Sequence, residues 1–326
     1  MSNFYYAYEE ICGKPAIVLG YNAPNDPCRN LQMKVAPELG NNLYCFKVGT
    51  HEIVHYDPEF ALTSYCTGNP ILYPIPNRCE NCRYTFEGKG YWQQKNNIPI
   101  FLHSLVYDEA WSYRTPVVTD TDARLETYLK IDETHPVYQG FPFPHTITIT
   151  YRLTETGLEM THRVENEGTQ NLPFGLSYHT YFSKLSGEND TLLQIPSPYI
   201  MEFTEALLPT GKLLDAADQP VDLRTPAPVG SLNLDTCFTA CDESAQAVID
   251  YTTLGLQIQI NGTDDFTHVQ VYTPQGAPFF CVEMQTCSGD VMNLSAKGYT
   301  REAHLLVVKP GEVHTGTLQF RYQLDS

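Results

Sequence analysis

An all-β protein, a large antiparallel β-sandwich, is what this 326-residue sequence predicts, on three observations. Apolar and polar residues alternate with period two in one segment after another, the pattern of strands with one face in a core and one face wet. Helical periodicity is scarce. The 23 prolines and 21 glycines interrupt the chain too often for long helices and supply the turns that antiparallel sheets need.

In chain order, the first informative stretch is residues 68–78, GNPILYPIPNR, whose prolines deny a strand ladder. Asn77 and Arg78 are therefore expected on a rigid bend that aims their donors outward, a fork suited to hydroxyl acceptors. Residues 98–106, IPIFLHSLV, place His103 in an apolar run, which on its own describes a hydrogen-bonded core imidazole. Residues 146–153 (TITITYRL) and 158–164 (LEMTHRV) alternate cleanly on either side of the turn TETG and predict a hairpin. Residues 172–182, LPFGLSYHTYF, read as a half-buried strand that carries His179 and Tyr181.

Further on, residues 208–212 (LPTGK) form a turn-like segment, and the Pro-rich 220–228 (PVDLRTPAP) is the best candidate for a boundary. Strand signals continue on both sides of it, so it is expected to be a surface loop in a single domain spanning 1–326. Asp235 precedes an aromatic stretch, where an acid ordinarily caps a turn. Residues 256–260 and 268–272 alternate as strands, and the final pair, 304–309 and 314–322, is joined by Pro310-Gly311-Glu312. In residues 277–285, APFFCVEMQ, Glu283 follows a nearly all-apolar run. Burial would raise the pKa of such a carboxyl toward the range of a general base, so it must be paired or functional.

Composition narrows the function classes. At 42% hydrophobic residues the chain can bury a sizeable core, and 20 Lys plus Arg against 38 Asp plus Glu leave a formal charge of −18. That charge repels phosphate backbones and anionic bilayers, which argues against nucleic-acid and membrane partners. The opening residues carry no basic stretch followed by an apolar run, so a cytoplasmic address is expected. The ten cysteines are then expected as reduced thiols. Cys79 and Cys82 have the spacing of a zinc knuckle, but Cys237 and Cys241 do not complete it, so no zinc is expected there.

Taken together and in this order, the segments resemble the aldose 1-epimerase (galactose mutarotase) family. The resemblance runs from Gly40-Asn41-Asn42-Leu43 through Asn77-Arg78, Leu102-His103, His179-Thr180-Tyr181-Phe182, Leu208-Pro209-Thr210-Gly211, Asp222-Leu223-Arg224, Asp235 with Phe238, and Glu283, to Lys309-Pro310-Gly311-Glu312. No one of these motifs is specific; their ordered conjunction is. It implies a β-sandwich of the galactose-mutarotase type with an open sugar groove and no metal or organic cofactor in the chemistry. Glu283 then matches the base that takes the proton of the anomeric O1 hydroxyl, and His179 the acid that protonates the ring oxygen. Arg78, His103 and Asp235 match substrate-positioning residues, and Asn77 and Tyr181 fall where the family lines its site.

The expectation is a cofactor-free aldose 1-epimerase acting on a monosaccharide, glucose or galactose first, as a monomer or weak homodimer. Ser104 and Tyr107 depart from the pattern after His103, including the arginine of the hexose-6-phosphate branch, which favours a free sugar unless Arg83, Arg114 and Arg224 converge in space. Two readings from other classes stand beside it. One is a non-catalytic sugar-binding or sensing protein, and the other a glycoside hydrolase using Asp235 and Glu283 as a carboxylate pair about 5 to 9.5 Å apart.

Overall fold

The computed structural model describes residues 2–241 and 243–325; Met1, Asp242 and Ser326, which the expected 1–326 domain includes, lie outside the described residues. Strands dominate and pair antiparallel, as the alternation and turn chemistry predict. A ten-stranded sheet runs from Ser112–Tyr113 at one edge to Ala227–Pro228 at the other, and a seven-stranded sheet from Pro209–Asp215 to Ile71–Leu72. A five-stranded sheet is built from the first strands, Phe4–Ile11 to His51–Glu52. The three sheets meet in one apolar cluster. Phe182 of the seven-stranded sheet lies 6.0 Å from Phe280 beside it and 5.7 Å from Phe320 of the ten-stranded sheet, and Phe320 lies 6.3 Å from Phe46 of the five-stranded sheet.

The hairpin stands where the alternation puts it, as His145–Thr154 paired to Gly157–Asn166, with strictly alternating burial along the first strand. Gly157 closes its turn at φ +143°, and a Cβ there would lie 2.0 Å from the Phe320 carbonyl oxygen of the next strand, so only glycine fits. The 220–228 segment is irregular except at Ala227–Pro228, which pairs with Leu192 and Leu193 at the sheet edge, where proline is tolerated. Residues 172–182 form two strands, Leu172–Phe174 and Ser177–Ser183, and the second is almost wholly buried rather than half wet.

The terminal pair is a correction. His304 caps the short helix Thr300–Ala303 with a left-handed backbone, and Leu306–Val308 pairs with Leu172–Phe174, whereas Val313–Leu324 joins the ten-stranded sheet. Pro310-Gly311-Glu312 is a link between two sheets and not a hairpin turn. Period-two alternation specifies a strand but not its partner.

Candidate active site

Period-two geometry loads one face of the seven-stranded sheet with polar groups. Asp235–Thr239, His268–Tyr272, Phe279–Gln285 and Ser177–Ser183 are adjacent strands, and the register sets His179 opposite Glu283, Glu283 opposite Gln270, and Asp235 opposite Tyr272. Tyr181, two residues after His179, shares its face. The flanking Tyr178 and Phe182 are fully buried on the other face, in the core. The same strands that anchor the fold therefore aim the site.

Two loops complete it. After the prolines at 70, 74 and 76 the chain turns through Asn77 with φ +59°, a left-handed conformation that asparagine tolerates. Arg78 forms an isolated bridge with Leu102, and the His103 amide donates to the Asn77 carbonyl at 2.8 Å. His103 and Ser104 also have positive φ, and the Ser104 hydroxyl accepts from the Ile75 amide at 3.0 Å. This turn carries the His103 ring out of its apolar neighbourhood to the site, edge-on to His179 at 5.0 Å. His103 is not the hydrogen-bonded core imidazole that its neighbours suggest, because its Nδ1 is buried with no partner.

Asn77, Arg78, His103, His179, Tyr181, Asp235 and Glu283 all line one cavity of about 370 Å³, together with Tyr65, Gln270, Tyr272 and Phe279. That volume falls in the range of small-molecule sites, about 300 to 1,000 Å³. At its floor His179 Nε2 lies 3.4 Å from Glu283 Oε1, with both side chains almost fully buried. Tyr181 stacks on the His179 ring at 4.9 Å with 7° between planes, and its hydroxyl donates to the Tyr65 carbonyl at 2.7 Å. Gln270 Nε2 donates to Asp235 Oδ1 at 2.6 Å, Arg78 Nη2 lies 3.9 Å from Asp235 Oδ2, and Gln285 Nε2 reaches Glu283 Oε2 at 3.4 Å.

Burial governs the electrostatics. It pushes His179 down to about 4, and it pushes Glu283 well above the ordinary carboxyl value, helped by Asp235 and only partly offset by Gln285 and Arg78. His103 is driven well below the usual imidazole range by burial first and then by His179 and Arg78. Desolvation thus disfavours charge on both members of the His179–Glu283 pair. The pair can accept a proton at one atom and release one at another 3.4 Å away. The imidazole Nδ1 of His179 and the amide Oε1 of Gln270 are buried without partners in the same cavity, and unpaired groups of this kind are costly unless a ligand satisfies them.

Sequence reasoning missed Gln270, Tyr65, Tyr272 and Phe279. Gln270 and Tyr272 alternate with Val269 and Val271, which reads as an ordinary wet strand face. The 208–212 segment is not among the cavity's lining residues; Lys212 and Thr210 bind Glu202 instead. Arg83, Arg114 and Arg224 do not converge. Arg83 lies over the Trp92 ring at 3.7 Å, Arg114 pairs with Glu126, and Arg224 binds Asp222 through Nε and Nη2. Among the described residues, Arg78 is the one lysine or arginine lining the cavity. The paired cysteines join no group of three or more metal-ligating side chains among the described residues.

The family model for aldose 1-epimerase matches residues 32–321. A galactose mutarotase-like protein from Clostridium acetobutylicum has a similar structure, with TM-score 0.86 and 17% identity over 99% of both chains. The galactose 1-epimerase of Lactobacillus acidophilus NCFM aligns with TM-score 0.74 and 16% identity, again over 99% of both chains. The uncharacterised protein YihR of Escherichia coli (strain K12) is 22% identical over 271 residues, 82% of each chain.

Proposed function

The chain belongs to the aldose 1-epimerase family, and from that premise we propose that it interconverts the α and β anomers of a free aldohexose, with Glu283 and His179 as the proton-transfer pair. The observation that carries the proposal is their 3.4 Å approach on the floor of a cavity large enough for a monosaccharide.

Ring opening needs a proton removed from O1 and another delivered to O5 while the C1–O5 bond breaks. In the ion-pair arrangement, Glu283 carboxylate takes the O1 proton, the O1 electrons form the aldehyde C=O, and the imidazolium of His179 protonates O5. The pair is left neutral, the arrangement that burial favours, facing a neutral open-chain sugar. Rotation about C1–C2 and the reverse transfers close the other anomer. Each positioned transfer contributes about 10² to 10⁴ in rate. Asp235, held by Gln270 and Arg78, and the loop residues Asn77 and His103 bind hydroxyls and orient the ring; Tyr181 and Phe279 offer apolar faces to its C–H side.

A free sugar fits better than a phosphorylated one. Phosphate recognition favours several Arg forks, and the lining offers only Arg78, already facing Asp235, beside two carboxylates. Polarimetry on freshly dissolved α-D-glucose and α-D-galactose in weak buffer tests the proposal. Equilibration faster than buffer for at least one of them, with methyl α-glucoside inert because it lacks the O1 proton, supports it. Rates equal to buffer for both sugars refute it.

A further inference from the structure

His162, Asp265 and His314 form a second cluster, and none of them lines the sugar cavity. His162 pairs with Gly316, and Val164 with His314, across the adjacent strands Gly157–Asn166 and Val313–Leu324. The two imidazoles are thus diagonal neighbours on one sheet face. Asp265 comes from the connection between Leu256–Gly262 of the ten-stranded sheet and His268–Tyr272 of the seven-stranded sheet.

The two carboxylate–imidazole separations are close to those of ligands sharing an ion. Asp265 Oδ2 lies 3.3 Å from His162 Nε2 and is hydrogen-bonded with His314 Nε2 at 3.1 Å, and one ligand atom from each of the three residues lies within 4.8 Å of the other two. Donors about 2.0–2.1 Å from a tetrahedral ion sit roughly 3.3–3.4 Å apart. His162 is fully buried and neither of its ring nitrogens makes a hydrogen bond, so its approach to Asp265 is a close contact without hydrogen-bond direction. An imidazole lone pair left that way is costly in a core, and a cation would satisfy it.

The surroundings are shaped for the cluster. Gly316 has no left-handed backbone to explain it, but a Cβ there would meet Asp265 Oδ2 at 2.1 Å and His162 Cε1 at 2.6 Å. The glycine makes room for these side chains. The Thr263 hydroxyl binds Asp265 Oδ1, leaving Oδ2 to the histidines. Phe174 and Phe266 pack edge-on against the His162 ring and hold its orientation. His314 is partly exposed and provides an entry path.

We propose that His162, Asp265 and His314 bind one divalent transition-metal ion of the zinc type, completed by solvent on the His314 side. Two imidazoles and one carboxylate suit such ions better than Mg²⁺ or Ca²⁺, which take oxygen ligands. The ion acts as a staple, tying the ten-stranded sheet to the crossover that leads into Gln270 and Tyr272, and it takes no part in the proton transfers at the cavity.

The test uses the full chain stripped with a chelator and freed of it, titrated with Zn²⁺ by calorimetry and with Co²⁺ by visible absorption. The expected result is one ion per chain, Co²⁺ bands of a low-coordinate nitrogen and oxygen site, and a Tm that rises with Zn²⁺. His314→Gln, on the solvent side, and Asp265→Asn should each weaken binding by about 100-fold or more and remove the rise in Tm, with His314→Gln keeping the metal-free Tm of the parent. Absence of stoichiometric binding by the parent overturns the proposal, and so does unchanged affinity in both variants. The readouts use the metal alone, so they stand apart from any effect on sugars.

Discussion

His179 and Glu283 are direct cross-strand partners in adjacent antiparallel strands, and their side chains meet at 3.4 Å between Nε2 and Oε1. Two residues more than a hundred positions apart in the chain are thereby held by main-chain register, which fixes their separation more firmly than a loop would. The neighbours are placed by the same ladder: Gln270 opposite Glu283, and Tyr181 stacked on His179.

Glu283→Gln and His179→Asn each preserve shape while removing one of the two proposed proton-transfer groups. Each is expected to lower kcat for anomerisation by about 10² to 10⁴, with sugar binding by calorimetry nearly unchanged. A loss confined to KM would point to a binding role instead.

Asp235→Asn should act through orientation. It weakens the carboxylate that Gln270 and Arg78 hold, so kcat/KM is expected to fall by about 10- to 100-fold, mostly in KM. Polarimetric rates over a range of sugar concentrations separate the two.

The pH profile follows from the shared proton. On the proposed roles, activity requires one proton on the pair, and it is lost when His179 takes up a second one at low pH or Glu283 gives up the last at high pH. Because burial sets His179 at about 4, kcat/KM should show no inflection near 6.5, where a solvent-exposed histidine titrates, and should fall only toward pH 4. The alkaline limb should lie well above ordinary carboxyl values, as Glu283 is raised. Initial-rate polarimetry in dilute buffers reads both limbs, and an inflection near 6.5 would contradict the pairing.

Stability should decline on acidification over the same interval. Burial lowers His145 and His179 to about 4 and His268 to about 3, and drives His103 well below the ordinary imidazole value. The unfolded chain therefore takes up protons below about pH 6.5 that the folded chain refuses, and stability falls as pH drops toward 4. Glu283 and Asp290, the latter raised to about 6, act in the opposite sense but are fewer. Each unbalanced proton gives a slope of about 1.4 kcal/mol per pH unit, measurable as a falling urea midpoint.

Phe182→Ala separates packing from chemistry. The ring is fully buried between Phe280 and Phe320, on the face of its strand opposite His179, so its loss should cost about 3 to 5 kcal/mol. Chemical denaturation measures this, and the folded fraction should still anomerise sugar.

The hairpin at 145–166 was legible because alternation ran unbroken on both sides of one turn. The terminal strands read as a hairpin in sequence because local pattern cannot reveal that Leu306–Val308 pairs with Leu172–Phe174, far earlier in the chain. Glu283 stood out because an acid after an apolar run has to be paired. Gln270 did not, since an amide on an alternating strand is indistinguishable from a wet face until the register places it opposite Glu283, where its side chain donates to Asp235. His103 looked like core because sequence does not show the positive-φ turn that carries its ring to the cavity. The cluster of His162, Asp265 and His314 was equally hidden, being assembled from three separate segments.

Anomerisation of a hexose labelled with ¹⁸O at O1 distinguishes which bond to C1 breaks. If Glu283 takes the O1 proton while His179 protonates O5, the anomers equilibrate many times over with the label retained beyond the slow exchange of the free sugar. Label lost to water as fast as the anomers interconvert would mean that C1–O1 breaks instead, and the roles given to Glu283 and His179 would be wrong.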